Sequence, residues 1–123
     1  MGLYGFKPQF KPKILSGEKR HTIRAPRKIE DKPGNTFYGY VGLRQPGEEK
    51  IIEAPYVKGE PIIIEPSAHL IEISGVRLSS DEMEAFARAD GFEGWLQMRL
   101  FWRDANVFAG VLHHWDFDRR EPC

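Results

Sequence analysis

From Thr36 to Leu43 the chain alternates strictly. Phe37, Gly39, Val41 and Leu43 fall on one face, and Thr36, Tyr38, Tyr40 and Gly42 on the other. A period of two marks a strand with one buried side and excludes an amphipathic helix. Turn chemistry brackets it, with Pro33-Gly34-Asn35 before and Gln45-Pro46-Gly47-Glu48 after. Pro61–Glu65, His69–Leu78 and Val107–Phe117 also read as strands, with shorter ones at Leu3–Phe6 and His21–Arg24; residues 50–60 carry nearby prolines and are ambiguous.

Three stretches read as helical. Phe10–Leu15 is short and ends at Ser16-Gly17, where glycine suits a left-handed cap. Ser79 or Ser80 caps a helix running to Ala89, with Asp81, Glu82 and Glu84 in the first turn, where the helix dipole favours acids. Asp90-Gly91 stops it. Phe92–Arg103 forms the next, its apolar residues at helical spacing and Trp95 and Trp102 in the core. Long alternating strands joined by hairpin turns favour a mostly antiparallel sheet or small barrel. The expected architecture is α+β, a pseudo-barrel with flanking helices, in one domain spanning 1–123 with a polar tail at 118–123.

Charges balance at 18 basic and 18 acidic, so no global field selects a partner. Their distribution is uneven. Residues 7–32 carry nine Lys or Arg against three acids, a local excess of six. Such a block, with a glycine and a hydroxyl among the charges, points to a local anion site. Cys123 is the only cysteine, which excludes an internal disulfide and cysteine-based metal motifs. No apolar run approaches a membrane span, and no signal-peptide pattern opens the chain, so a cytoplasmic location without membrane association is expected.

Several chemistries can be weighed from residue types. Ser16-x-x-Lys19 spells an acyl-transfer pair, but Gly17 breaks the helical turn that would join them. Lys19 and Thr22 are the better pair, since a desolvated lysine is a base near neutral pH and can activate a threonine hydroxyl. His113 and His114 are adjacent on a strand and point to opposite faces, so one packs inside and the other meets water. His114 with Asp116 gives two ligands where catalytic zinc takes three. No metal and no cofactor is therefore expected, and phosphate-loop and dinucleotide signatures are absent. Tyr4, Phe37, Tyr38, Tyr40, Trp95, Trp102 and Trp115 offer stacking faces of the kind single-stranded nucleic acid uses. One of Tyr38 and Tyr40 is a candidate cavity wall.

The stretch Gly17-Glu18-Lys19-Arg20-His21-Thr22-Ile23-Arg24 resembles the Gly-x-Lys-x-x-Thr-x-Arg signature of the ASCH domains, a branch of the PUA-like superfamily. Pro33-Gly34-Asn35, Tyr40-Val41-Gly42-Leu43-Arg44, Asp90-Gly91-Phe92 and Gly110–Asp116 resemble further family features in the same order. The resemblance implies a PUA-like, mostly antiparallel β-barrel and an RNA-related role, with RNA or a modified nucleoside as partner. Arg20, Arg24, Tyr40 and Arg44 would bind a nucleotide in a basic cleft. In the branch of bacterial N4-acetylcytidine amidohydrolases, a lysine, a threonine and a glutamate are implied as catalytic. They correspond here to Lys19, Thr22 and Asp90, the last one methylene shorter. A binding protein, an amidohydrolase acting on an N4-acylated cytidine, and a protein-interaction module are the three functions compatible with these residues.

Overall fold

The computed structural model describes residues 2–122; Cys123 lies outside the described residues. Among these, seven strands and three α-helices form a mixed α+β fold. The strands are β1 (Gly2–Phe6), β2 (His21–Arg24), β3 (Thr36–Val41), β4 (Glu49–Glu65), β5 (Leu70–Ile73), β6 (Val76–Arg77) and β7 (Phe108–Trp115). The helices are α1 (Lys11–Ser16), α2 (Ser80–Ala89) and α3 (Trp95–Phe101). Five of the strands run in the order β1-β3-β4-β5-β6, and β7 joins β4 to β2. The ladder does not close: among the described residues no strand pairing joins β1 to β2. The sheet is mostly antiparallel, with β1 and β3 parallel. No helix is long and apolar enough to cross a membrane.

The alternation of β3 reappears as burial, with Phe37 and Gly39 inside. Phe37 stacks between Tyr4 at 4.3 Å and Trp115 at 4.5 Å, tying β1, β3 and β7 through one aromatic column. Each such ring contributes about 1.5–3 kcal/mol by leaving water.

Strand β4 absorbs the ambiguous residues 50–60. Its first half, through Pro55, pairs with β3, and Tyr56–Ile64 pairs with β7. Pro55 sits at this hand-over and Pro61 just before the ladder to β5 begins at Ile62. Both carbonyls are still used, by the Asp116 and Ser74 amides at 2.9 Å. Prolines are tolerated in a strand at such breaks in the ladder. The expected strand over His69–Leu78 is instead a hairpin. Ser74 and Gly75 both have positive φ, 51° and 81°, as a two-residue primed turn requires.

Helix α2 starts with a full capping box between Ser79 and Glu82. Helix α3 is shorter than the apolar period suggests. Its first amide, Trp95 N–H, donates to the Glu84 carboxylate of α2 at 3.2 Å, and a side chain at Gly94 would collide with that carboxylate. Trp95 and Trp102 are half-buried against the core rather than within it. The tail turns at Phe117–Arg119, and Glu121 N–H donates to the Glu53 carbonyl at 2.8 Å.

Candidate functional site

The site begins with two glycines. Gly17 ends α1 at φ 85°, and a Cβ there would strike the Phe117 ring at 2.7 Å. Glycine is thus required by conformation and by space. The chain then turns back, with Lys19 N–H donating to the Lys13 carbonyl at 3.0 Å, and enters β2. At the far wall α2 ends in a Schellman arrangement. Asp90 is the C-cap, Gly91 follows at φ 101°, and the amides of Gly91 and Phe92 donate to the carbonyls of Arg88 and Ala87. This closure fixes where Asp90 sits.

Lys19 and Asp90, 71 residues apart, meet in a buried pair. Lys19 Nζ lies 2.7 Å from Asp90 Oδ1 and 2.6 Å from the Asp90 carbonyl oxygen. The residues are 3% and 4% exposed, so both charges are withdrawn from water. The ammonium also satisfies a helix C-terminal carbonyl, where a cation is favoured. Burial pushes the Lys19 pKa down and the nearby Arg24 adds to that, while Asp90 opposes it. The same Oδ1 receives His21 Nδ1 at 3.1 Å, and the His21 ring stacks on Phe86 of α2 at 5.0 Å. His21 lies in the signature stretch, and only tertiary packing brings it to Asp90.

Thr22 and Arg24 follow on β2. Arg24 Nε donates to Thr22 Oγ1 at 3.2 Å and its Nη2 to the Gly5 carbonyl at 2.7 Å. The guanidinium lies over the Phe6 ring at 4.9 Å. Burial lowers the Arg24 pKa, with Arg27 contributing.

These groups line one cleft of about 210 Å³. Lys19, Thr22, Arg24 and Asp90 form its polar side, and Phe6, Phe10, Phe92, Phe101 and Trp102 its aromatic side. Lys7 stands at the edge with Nζ 4.8 Å from the centroid of the exposed Phe101 ring. Three cations thus face one carboxylate beside aromatic surfaces. No hydrogen bond joins Lys19 to Thr22 among the described residues, although both border the same space.

Three sequence-predicted binding residues lie elsewhere. Arg20 folds back to the Gly17 carbonyl at 2.7 Å and covers Phe117 with its guanidinium at 4.9 Å. Tyr40 is half-buried on β3 and does not border the cleft, nor does Tyr38. Arg44 is exposed in the turn after β3 at φ 63°, its N–H held by the Glu48 carboxylate at 2.8 Å. Among the described residues no group of three or more His, Cys, Asp or Glu side chains is placed to hold a metal. His114 instead pairs with Glu60 at 2.8 Å.

Gly91 tests how tightly the site is built. A Cβ there would meet Phe10 at 2.9 Å and Lys19 Cδ at 3.2 Å, at a φ that L-residues disfavour. Gly91→Ala is expected to cost about 2 kcal/mol of stability. Thermal unfolding checks this, and a change below about 0.5 kcal/mol would show that the cap tolerates displacement. No protein family, curated protein or solved structure matches the chain.

Proposed function

We propose that this chain is an ASCH-type, PUA-like protein with an RNA-related role, whose cleft binds a nucleotide or modified nucleoside. The observation that carries the reading is the joining of Lys7, Lys19 and Arg24 to an aromatic wall in one cavity. Aromatic faces stack planar bases, and cationic N–H groups attract phosphate or a polarised carbonyl. The volume of about 210 Å³ suits one base or nucleoside better than a run of them. The open ladder between β1 and β2 leaves room for a PUA-like relation without a fully hydrogen-bonded barrel.

A second reading rests on the buried Lys19–Asp90 pair beside Thr22: an amidohydrolase that removes the acyl group from an N4-acylated cytidine. In it Asp90 takes a proton from the Lys19 ammonium, which burial destabilises, and the free amine takes the Thr22 proton while Arg24 holds the hydroxyl in place. Thr22 Oγ1 attacks the amide carbonyl, Lys19 returns the proton to the cytidine N4 as the C–N bond breaks, and water, its proton taken by the same amine, hydrolyses the acyl–Thr22 ester to free the acid. Lys19 must swing from Asp90 towards Thr22 for this. The two readings separate by turnover: incubation with N4-acylated cytidines and detection of released cytidine supports the enzyme, while saturable binding without product supports the binding protein.

Binding should respond to the edge of the cleft and not to the neighbouring basic surface. Lys7→Ala is expected to weaken nucleotide binding about threefold, the effect of a partly exposed charge contact. Arg20→Ala should leave affinity unchanged. Calorimetric titration with a nucleoside monophosphate measures both, and the reverse order of effects would move the site to the Arg20 face.

A further inference from the structure

His21 adjoins the cleft without forming part of its lining. It is 8% exposed, and its Nδ1 lies 3.1 Å from Asp90 Oδ1. The same oxygen accepts from the Lys19 ammonium at 2.7 Å. An oxygen that serves an ammonium in this way belongs to a carboxylate, which only accepts, so Nδ1 carries the proton and donates it. Among the described residues the Asp90 carboxylate has these two side-chain partners, one lining the cleft and one outside it.

The imidazole is fixed without help from Asp90. It stacks on Phe86 with ring centroids 5.0 Å apart and planes 7° apart. Phe86 and the C-cap Asp90 lie four residues apart at the end of α2, where side chains share a face. The helix thus carries both the shelf for the imidazole and the group that the imidazole holds. His114, paired with His21 across β2 and β7, meets the ring edge-on at 5.6 Å. His114 is tied in turn to Glu60 at 2.8 Å.

The chemistry asks different things of the two partners. In the amidohydrolase reading, on which this inference rests, Lys19 gives a proton to Asp90 and swings towards Thr22. That move ends both of its bonds to Asp90, at 2.7 Å and 2.6 Å. The carboxyl group is left at a site 4% exposed and must still be in place when Lys19 returns. The bond from His21 survives the move, because a protonated carboxyl group keeps an acceptor oxygen. We propose that His21 is a positioning residue for this reaction, holding the Asp90 carboxyl group in place while Lys19 travels to Thr22 and back. A loose carboxyl group costs rate rather than substrate binding, since His21 does not border the cleft.

Turnover of N4-acetylcytidine by wild type, His21→Phe and His21→Asn tests this, with thermal unfolding of each protein alongside. Phenylalanine keeps the stack on Phe86 and removes the N–H; asparagine keeps an N–H near the place of Nδ1 and gives up the stack. Should His21→Phe fail to fold, His21→Ala takes its place in the comparison. Loss of the N–H is expected to lower kcat by about tenfold to a hundredfold, the cost of misplacing a reacting group by about an ångström, with KM within about twofold of wild type. His21→Asn should recover most of that kcat even though it loses the ring. A kcat that follows thermal stability across the variants, or one that stays at the wild-type value without the N–H, would overturn the positioning role and leave the amidohydrolase reading intact. Absence of turnover by the wild type would overturn that reading and the role with it.

Discussion

Asp90→Ala is expected to destabilise the fold by about 3–5 kcal/mol. The substitution strands the Lys19 ammonium at a site 3% exposed, with one carbonyl as its remaining partner. Burial already pushes its pKa down, and removing the opposing carboxylate lets that pressure act alone. Lys19 should therefore lose its proton more readily in the variant than in the wild type. The double variant Lys19→Met/Asp90→Ala should recover most of the loss, because an apolar pair carries no desolvation penalty. Urea unfolding of the single and double variants measures this. A single-variant loss under about 1 kcal/mol, the size expected of a solvated helix terminus, would contradict a buried pair.

Acid should unfold the protein partly through His113. Burial holds its pKa at about 4, with Arg27 and Arg24 also opposing the charged form, against an ordinary value of 6.5. The folded state thus keeps this imidazole neutral while the unfolded chain accepts a proton below about pH 6.5. The stability tied to the neutral ring is complete above that pH. It falls as pH drops towards 4 and is fully lost below that. By linkage the difference amounts to about 3 kcal/mol across the window. His113→Asn keeps a polar atom for the Tyr56 hydroxyl and cannot titrate. It should be less stable than wild type at pH 7, and its stability should fall less between pH 7 and pH 4.5. Parallel declines in the two proteins would mean that another group carries the acid sensitivity.

What the sequence disclosed of the site was local. Gly17, Lys19, Thr22 and Arg24 could be read because a left-handed cap and a four-residue strand fix their directions within one turn of chain. Asp90 was marked only by the resemblance of Asp90-Gly91-Phe92 to a family feature, and the Schellman closure turns it towards the cleft. Arg20, Tyr40 and Arg44 do not border the cleft, for a different reason. Their directions depend on packing, on the register shift at Gly39/Tyr40 and on a turn of positive φ, none of which leaves a period in the sequence. Strand β4 was hidden because Pro55 and Pro61 look like breakers until the change of pairing partner at each is known. Helix α3 lost its first residues to the Glu84 contact, a tertiary event. The adjacent histidines behaved as strand geometry requires, with His113 inside and His114 half-buried beside Glu60.

The proposed role of the cleft of Lys19, Thr22, Arg24 and Asp90 is to receive a nucleotide or modified nucleoside. Its most direct test is an NMR titration with a panel of nucleoside monophosphates and N4-acylated cytidines. At least one member should perturb the signals of Lys19, Thr22, Arg24, Asp90 and Phe101 saturably and together, and leave those of Arg20 and Arg44 in place. Perturbation confined to Arg20 and Arg44, or none from any member of the panel, would contradict it.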